Sequence, residues 1–360
     1  MKYEQPKEEI LTNKETERRS VLKQRKPLAY EKAVHINDKF LRGECAALIS
    51  FCYDYICNMN CAHCSNSAYA PKDRCFTIED VRELARQADE MGLFQFELSG
   101  GEPLIFPQLD QIIEAIDPRR FHINVTTNGY YLDRQMAEHL REIGVDKVKI
   151  SVDCQEAELH TMKTGVNDAH SHAVRALFAA KEAGLEPVMQ TVATRQNTQS
   201  EEMLGLARFA RDNGFTVDVV LAKPVGSWAG NMDVLVNEDD IRYLYELNKE
   251  YPMRREVYPA YGIHKGCGTM KSFMCITKYG DVLPCTFIPI SIGNIFEEPL
   301  KDIVDRGMSI KWFRSCTDLC PSGQNRYFIE NYISKCWGQA LPLSWKDVFT
   351  DKDFVKKEVE

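Results

Sequence analysis

Three closely spaced cysteines, Cys57, Cys61 and Cys64, are the residues of this sequence whose type and spacing are best suited to chemistry. Their C-x3-C-x2-C pattern ends an apolar run over residues 48–56, so a buried strand would deliver them to one end of a sheet. Three thiolates this close can hold three irons of a [4Fe–4S] cube and leave the fourth iron open to another ligand. Zinc hooks and redox thiols remain alternatives when the triplet is considered alone.

The elements that must position these cysteines are alternating strands and helices. Strands are predicted at 48–57, 94–99, 122–127, 147–153, 187–194 and 217–223. Thr77 and Asp80 form a capping box for a helix that Gly92 closes, and Asp133 opens another that ends at Gly144. Six such units fall short of a closed eight-fold barrel, so the sequence predicts an α/β protein with a partial (β/α)6 TIM-like barrel. In such folds the chemistry lies at the C-terminal ends of the strands.

Polar residues stand at the ends of four successive predicted strands, on that same rim. In Ser99-Gly100-Gly101-Glu102-Pro103, the glycines allow backbone to approach a ligand closely, and Glu102 adds negative charge. The candidate ligand-binding residues on the next three strands are Asn124, Thr126, Thr127, Asn128, Ser151, Asp153 and Gln190. A turn explains each of these segments separately, but the succession predicts a binding site.

Composition narrows the classes of function. The 360 residues carry a net charge of −8, which argues against broad nucleic-acid binding because no basic excess exists to neutralise phosphates. No apolar stretch approaches 18 residues and the N-terminus is charged, so we expect a cytoplasmic protein without a membrane partner. Thirteen cysteines without a secretion signal are typical of metal ligands, not of a disulfide framework.

Over roughly residues 45–225 the chain resembles the radical S-adenosylmethionine (SAM) enzymes. The motifs are CNMNCAHC at 57–64, SGGEP at 99–103, TNG at 127–129 and SVD at 151–153. The resemblance implies that SAM chelates the open iron of a [4Fe–4S] cluster and is cleaved to a 5′-deoxyadenosyl radical, which takes a hydrogen atom from the substrate. It assigns the cluster to the three cysteines, the methionine amine to the loop at Gly100 to Glu102, and the ribose or carboxylate to Ser151 and Asp153. His63 stands where relatives often carry an aromatic residue near adenine.

The C-terminal cysteines resemble the SPASM/twitch extension of these enzymes, which carries auxiliary [4Fe–4S] clusters. The segment 279–285 looks like its β-hairpin, with Gly280 at the turn. The resemblance implies one auxiliary cluster held by Cys267, Cys275, Cys285 and Cys320, with Cys316 and Cys336 as alternates. A twitch-like set of Cys267, Cys285, Cys316 and Cys320, a second auxiliary cluster, and a zinc site stay open. Thr286 stands where many relatives have an Asp that serves as a base, so the resemblance supplies no base.

The expected organisation is a charged N-terminal arm (1–45), the barrel (46–235), a linker helix (236–265), the SPASM/twitch-like domain (266–340) and a charged tail (341–360). Cys154 is a candidate hydrogen-atom donor to a substrate radical, although free cysteines are more often core residues. The first expectation for the substrate is a ribosomally made peptide or protein. Small molecules such as sugars or alcohols come second, and a non-catalytic electron carrier is a remote third. A flavodoxin or ferredoxin is the expected external reductant.

Overall fold

A ten-stranded sheet forms the frame of the molecule. The computed structural model describes residues 13–255, 266–314 and 317–355. Its first part contains α1 (Asn13–Arg25), α2 (Pro27–Leu41), β1 (Leu48–Asp54), α3 (Ile78–Glu90), β2 (Gln95–Gly100), α4 (Leu109–Ile116), β3 (His122–Thr127), α5 (Arg134–Glu142), β4 (Lys147–Ser151), α6 (Ala157–Thr164), α7 (Ala169–Glu182), β5 (Glu186–Ala193), α8 (Glu201–Asn213), β6 (Thr216–Leu221), α9 (Glu238–Glu250) and β7 (Met253–Arg255). Strands β1 to β7 lie side by side in chain order and are all parallel. Their C-terminal ends therefore meet on one rim.

The six predicted strands are present, but four of them end earlier than expected. β4, β5 and β6 stop at Ser151, Ala193 and Leu221, and β1 stops at Asp54 instead of continuing to Cys57. The Asp54 carboxylate accepts the backbone N–H groups of Tyr55 (2.7 Å) and Ile56 (3.3 Å), which turns the chain out of the sheet. The cysteines are consequently carried on a loop above the rim.

The predicted helix caps are confirmed. Thr77 and Asp80 form a reciprocal capping box on α3, and the Asp133 side chain accepts the backbone N–H of Met136 at the start of α5. Between β1 and β7, sequence reasoning gave no bounds for two of the described helices, α4 and α6. The second of these packs against the cysteine loop. None of the described helices has the length and apolar character that crossing a membrane requires.

The C-terminal part extends the barrel sheet. It contains β8 (Phe273–Ile276), β9 (Asp281–Leu283), β10 (Ile290–Ser291), β11 (Gly293–Asn294), α10 (Leu300–Ser309), α11 (Lys311–Arg314), α12 (Arg326–Asn331), β12 (Leu343–Ser344) and α13 (Trp345–Val348). β8 and β9 form the predicted antiparallel hairpin, and Gly280 has the left-handed φ of 82° that its turn requires. β8 also pairs in parallel with β1. The sequence predicted a separate SPASM/twitch-like domain over 266–340 and gave no sign of this pairing with the barrel.

The N-terminal residues are partly built into the barrel. The sequence predicted a charged arm here, either a solvated helix or partly ordered, but Ala29, Ala33, Ile36 and Phe40 recur at helical spacing and are buried on one face of α2. Between α1 and α2 the buried Lys26 ammonium donates to the carbonyls of residues 121 (3.1 Å) and 144 (2.7 Å) and to the carboxylate of residue 146. Helices α1 and α2 therefore cover the end of the barrel at which β3 and β4 begin, opposite the rim.

Candidate active site

The three N-terminal cysteines lie on the loop that follows β1. Helix α6 supports this loop, because the backbone N–H of Ala62 donates to the carbonyl of Lys163 at 2.9 Å. Cys57 is exposed, and Cys61 and Cys64 are partly exposed. Burial raises the pKa of Cys61 to about 12, so metal binding there must release a proton.

Two glycines press the end of β2 against the cysteine loop. Gly100 has a φ of 111°, and a Cβ on Gly101 would lie 2.6 Å from the carbonyl carbon of Ile56. At this approach the N–H of Gly101 donates to the carbonyl of Asp54 (2.9 Å), and the N–H of Glu102 donates to that of Ile56 (2.8 Å). These glycines therefore fix where the loop leaves β1, whatever ligand they also face.

Glu102 ties the second strand end to the third. Its carboxylate accepts the N–H of Leu104 (3.0 Å), the hydroxyl of Thr127 (2.7 Å) and the N–H of Asn128 (2.7 Å). Burial raises the pKa of Glu102, although these three donors act to lower it. With its two oxygens engaged this way, Glu102 connects SGGEP to TNG, a role that sequence reasoning did not anticipate.

One cavity of about 1300 Å³ joins the predicted residues. All three loop cysteines line it, together with every predicted ligand-binding residue, namely Ser99, Gly100, Gly101, Glu102, Asn124, Thr126, Thr127, Asn128, Ser151, Asp153, Gln190 and His63. The order of the parallel strands accounts for this convergence, since consecutive strand ends are neighbours on the rim.

His63 and Asp153 meet across the mouth of the cavity. The Nε2 atom of His63 lies 3.4 Å from a carboxylate oxygen of Asp153, whose other oxygen accepts the N–H of Val192 at 3.0 Å. The His63 ring also lies 5.7 Å from the Trp228 ring, centroid to centroid. His63 thus has two neighbours that fix its orientation beside the cysteines.

Three amide side chains in the cavity wall have hydrogen-bonding capacity to spare. The side-chain oxygens of Asn66, Gln95 and Asn124 are buried and accept no hydrogen bond from the described residues. The Asn66 amide nitrogen donates to the carbonyl of Gly100 at 2.6 Å, which turns its oxygen away from the loop. Buried polar atoms without partners are uncommon, so these three oxygens mark places where a polar ligand fits.

Three C-terminal cysteines, Cys267, Cys285 and Cys320, line the same cavity. The thiols of Cys267 and Cys320 are within hydrogen-bonding distance of each other, and Cys285 is close enough to act on Cys267 electrostatically. The part of the chain that the structure describes contains no three His, Cys, Asp or Glu side chains placed to hold a single metal ion.

The remaining predicted cysteine ligands lie elsewhere. Cys275, which sequence reasoning grouped with those three, has its sulfur 3.8 Å from that of Cys52 and is buried between β8 and β1. Cys336 is buried, with its thiol directed at the carbonyl of Pro289 (3.9 Å). Cys316 lies outside the described residues. The structure therefore brings three of the predicted auxiliary ligands together. Cys275 contacts Cys52, although Cys285 is also close enough to act on Cys275 electrostatically.

Comparison with known families agrees with two cysteine sites on one barrel. Residues 55–210 match the model of the Radical SAM superfamily, and residues 267–337 match SPASM, an iron–sulfur cluster-binding domain. The chain belongs to the radical SAM superfamily. Its radical SAM domain binds a [4Fe–4S] cluster and SAM, and its SPASM domain implies auxiliary iron–sulfur clusters. The cysteine thiols that line the cavity are iron ligands, and the buried amide oxygens without partners can accept hydrogen bonds from SAM. The residues present therefore fit these groups.

Individual relatives of this radical SAM protein differ in what they act on. It is 23% identical over 293 residues to an AdoMet-dependent heme synthase of Methanosarcina barkeri, covering 73% of this chain and 83% of the relative. It is 28% identical over 187 residues to a probable GTP 3′,8-cyclase of Methanocella arvoryzae, covering 52% of this chain but only 60% of the cyclase. The solved structure of Streptococcus suis SuiB bound to its precursor peptide SuiA has a similar fold. Its TM-score is 0.59 at 18% identity, over 84% of this chain and 72% of SuiB.

Cys154 does not line the main cavity of the radical SAM domain. It is buried and faces a smaller pocket of about 240 Å³, whose wall includes Leu159, Met162 and Met203. Asp153 lines both spaces. The structure thus places Cys154 next to the main cavity and not in its wall, and its role as a hydrogen-atom donor stays a prediction.

A chain of ion pairs that sequence reasoning missed lies in the main cavity at the middle of strands β2, β4 and β6. Lys149 lies 2.5 Å from Glu97 and 3.9 Å from Asp218, and Arg254 binds both oxygens of Asp218. Burial lowers the pKa of Lys149, but the two carboxylates outweigh it and the net shift is upward. Among the described residues that line the cavity, Lys and Arg outnumber Asp and Glu by ten to seven. The cavity is therefore cationic within an acidic protein.

Proposed function

We propose that this radical SAM enzyme removes a hydrogen atom from a C–H bond of a substrate held in the barrel cavity, and that its substrate is a ribosomally made peptide or protein. One observation carries the proposal. The loop cysteines Cys57, Cys61 and Cys64 and the SPASM cysteines Cys267, Cys285 and Cys320 line the same cavity. A substrate bound there would share this cavity with both cysteine sites.

The residues of the chain divide the work accordingly. Cys57, Cys61 and Cys64 hold the cluster that binds SAM. With SAM bound and an electron delivered by an external reductant of the flavodoxin or ferredoxin class, this cluster would supply a 5′-deoxyadenosyl radical for hydrogen abstraction. Cys267, Cys285 and Cys320 would hold an auxiliary cluster able to accept the electron left on the substrate, and a net two-electron oxidation balances when the substrate also releases a proton to solvent. Asp153 orients His63 beside SAM, and the amide oxygens of Asn66 and Asn124 accept donors of the bound molecules.

A peptide substrate is supported by the size of the cavity and by the fold. A volume of about 1300 Å³ exceeds the ~300–1,000 Å³ common for small-ligand sites, which leaves room for a side chain and its flanking residues beside SAM. SuiB, which shares the fold, was solved with its precursor peptide. Loss of the hydrogen atom, followed by loss of one electron and one proton from the substrate radical, would give a crosslink or an oxidised residue. An epimer, which is redox-neutral, would instead require a hydrogen-atom donor to the radical and no electron acceptor.

A second candidate, a small anionic molecule, is favoured by the charge of the cavity. An excess of Lys and Arg in a low-dielectric site attracts anions. The names of the relatives point the same way, since GTP and haem are both anionic. This candidate keeps the hydrogen abstraction and changes only the substrate.

Deuterium transfer tests the proposal and separates the two candidates. The reconstituted enzyme is incubated anaerobically with SAM, reductant and an extract of its host grown on deuterated medium, and 5′-deoxyadenosine is analysed by mass spectrometry. Hydrogen abstraction predicts deuterium in this product. Protease treatment of the extract should remove the label for a peptide substrate, whereas passage over an anion exchanger that retains small anions should remove it for the other. An unlabelled product with every extract would contradict hydrogen abstraction.

A further inference from the structure

The loop that follows β6 connects the two cysteine sites. We call residues 223–228 the bridge loop. On the radical SAM side, the N–H of Ser227 donates to the carbonyl of Cys64 at 2.9 Å. Gly226 has a φ of 58°, and a Cβ there would lie 2.6 Å from the Cα of Ser65 and overlap the Cys64 carbonyl oxygen. The bridge loop therefore lies against the last cysteine of the N-terminal triplet.

The other end of the bridge loop lies against the SPASM domain. The indole N–H of Trp337 donates to the carbonyl of Pro224 at 2.7 Å. The Lys223 ammonium lies 4.0 Å from the centre of the Phe287 ring, two residues after Cys285. Six residues thus span the distance between the two sites.

Lys223 carries a positive charge to the auxiliary cysteines. Its side chain is buried, with the whole residue only 4% exposed. A Cβ on Gly323 would lie 3.4 Å from the sulfur of Cys320 and 3.6 Å from the Cε of Lys223, so the thiol and the lysine flank the same glycine. The described SPASM residues that line the cavity include no Lys, Arg, Asp or Glu. Lys223 is therefore the charged side chain that the barrel places at this otherwise uncharged wall.

We infer that the ammonium group of Lys223 raises the reduction potential of an auxiliary iron–sulfur cluster held at Cys267, Cys285 and Cys320. One-electron reduction adds a negative charge to a cluster whose thiolates already make it anionic. A nearby ammonium in a buried, weakly screened site stabilises the reduced form more than the oxidised form. The potential of a cluster responds to the surrounding charge in this way. The role of the cluster as electron acceptor rests on the proposed function, but the effect on potential does not.

The test measures the potential of the auxiliary cluster alone. In full-length protein with Cys57, Cys61 and Cys64 replaced by Ala, an anaerobic redox titration followed by electron paramagnetic resonance (EPR) reports only the SPASM site, without substrate or SAM. Lys223→Met should shift the one-electron equilibrium at least tenfold towards the oxidised form, which is about 59 mV. Lys223→Arg should retain the potential, and Lys346→Met, an exposed charge removed elsewhere, should not change it.

A potential unchanged in Lys223→Met, with the cluster fully assembled, would overturn the inference. If the Met variant fails to assemble the cluster, Lys223→Gln is titrated in its place. Loss of the cluster from both neutral variants but not from Lys223→Arg would support a requirement for the charge, whereas loss from the Arg variant as well would reject it. Because this titration contains neither substrate nor SAM, its failure would not bear on the hydrogen abstraction that the deuterium-transfer experiment tests.

Discussion

Replacing Gly101 with Ala should disrupt the N-terminal cluster site and spare the SPASM site. A Cβ at this position would lie 2.6 Å from the carbonyl carbon of Ile56 and 2.7 Å from that of Tyr55. Carbon atoms pack at ~3.5–4.0 Å, so the backbone leading to Cys57 must retreat by about 1 Å. Overpacking costs about 1–3 kcal/mol and a lost backbone hydrogen bond about 1 kcal/mol. The expected cost of about 2–4 kcal/mol falls on the segment that carries the first cysteine ligand.

The assay for Gly101→Ala combines iron analysis with SAM cleavage. Reconstituted wild-type protein with two cubes should contain about eight irons per chain, and the variant about four, with little 5′-deoxyadenosine formed. Gly338→Ala is the control, because its φ of 68° imposes backbone strain but no other atom lies within 4 Å of the added carbon. Full iron content and wild-type SAM cleavage in Gly101→Ala would refute the claim that this contact sets the position of the cysteine loop.

Three further predictions follow from buried groups. Lys26→Met should lower the free energy of unfolding by about 3 kcal/mol, because it leaves a buried carboxylate and two carbonyls without their donor. Urea titration measures this loss, and Lys301→Met, which removes an exposed charge, should have little effect. Burial lowers the pKa of His122 to about 4, so the free energy of unfolding should fall by up to ~3 kcal/mol as the pH drops from about 6.5 towards 4. The His122→Asn variant should lose less stability over this range, and equal pH profiles of the two proteins would contradict this. Cys275→Ala should retain the auxiliary EPR signal that Cys285→Ala loses, and loss in both would place Cys275 among the ligands.

The residues on the rim of the barrel were predictable because the sequence pattern locates the strands and the order of the motifs locates the strand ends. The helix caps at Thr77 and Asp133 and the hairpin turn at Gly280 depend on local chemistry, and the structure has all three. Polar residues at successive strand ends could be brought together on paper because parallel strands place those ends on one edge. This reasoning needs no knowledge of which side chain opposes which.

What sequence reasoning missed depends on contacts between distant segments. The pairing of Lys149 with Glu97 and Asp218 follows from the register of the five strands β2 to β6, which spacing along one strand does not reveal. The contact of Cys275 with Cys52 follows from the pairing of β8 with β1, which the sequence did not reveal. The ligand role that the SPASM resemblance implied for Cys275 stays a prediction. The buried face of α2 did have a signal, the 4-3-4 spacing of its apolar residues, but the surrounding charges obscured it.

Reductive cleavage of SAM tests the central claim most directly. Anaerobically reconstituted wild-type protein, given SAM and a strong reductant, should form 5′-deoxyadenosine. The variant with Cys57, Cys61 and Cys64 all replaced by Ala should form none while keeping the EPR signal of the auxiliary cluster. Cleavage that persists in this variant, or that is absent from wild-type protein with both sites assembled, would contradict the assignment of SAM cleavage to the three loop cysteines.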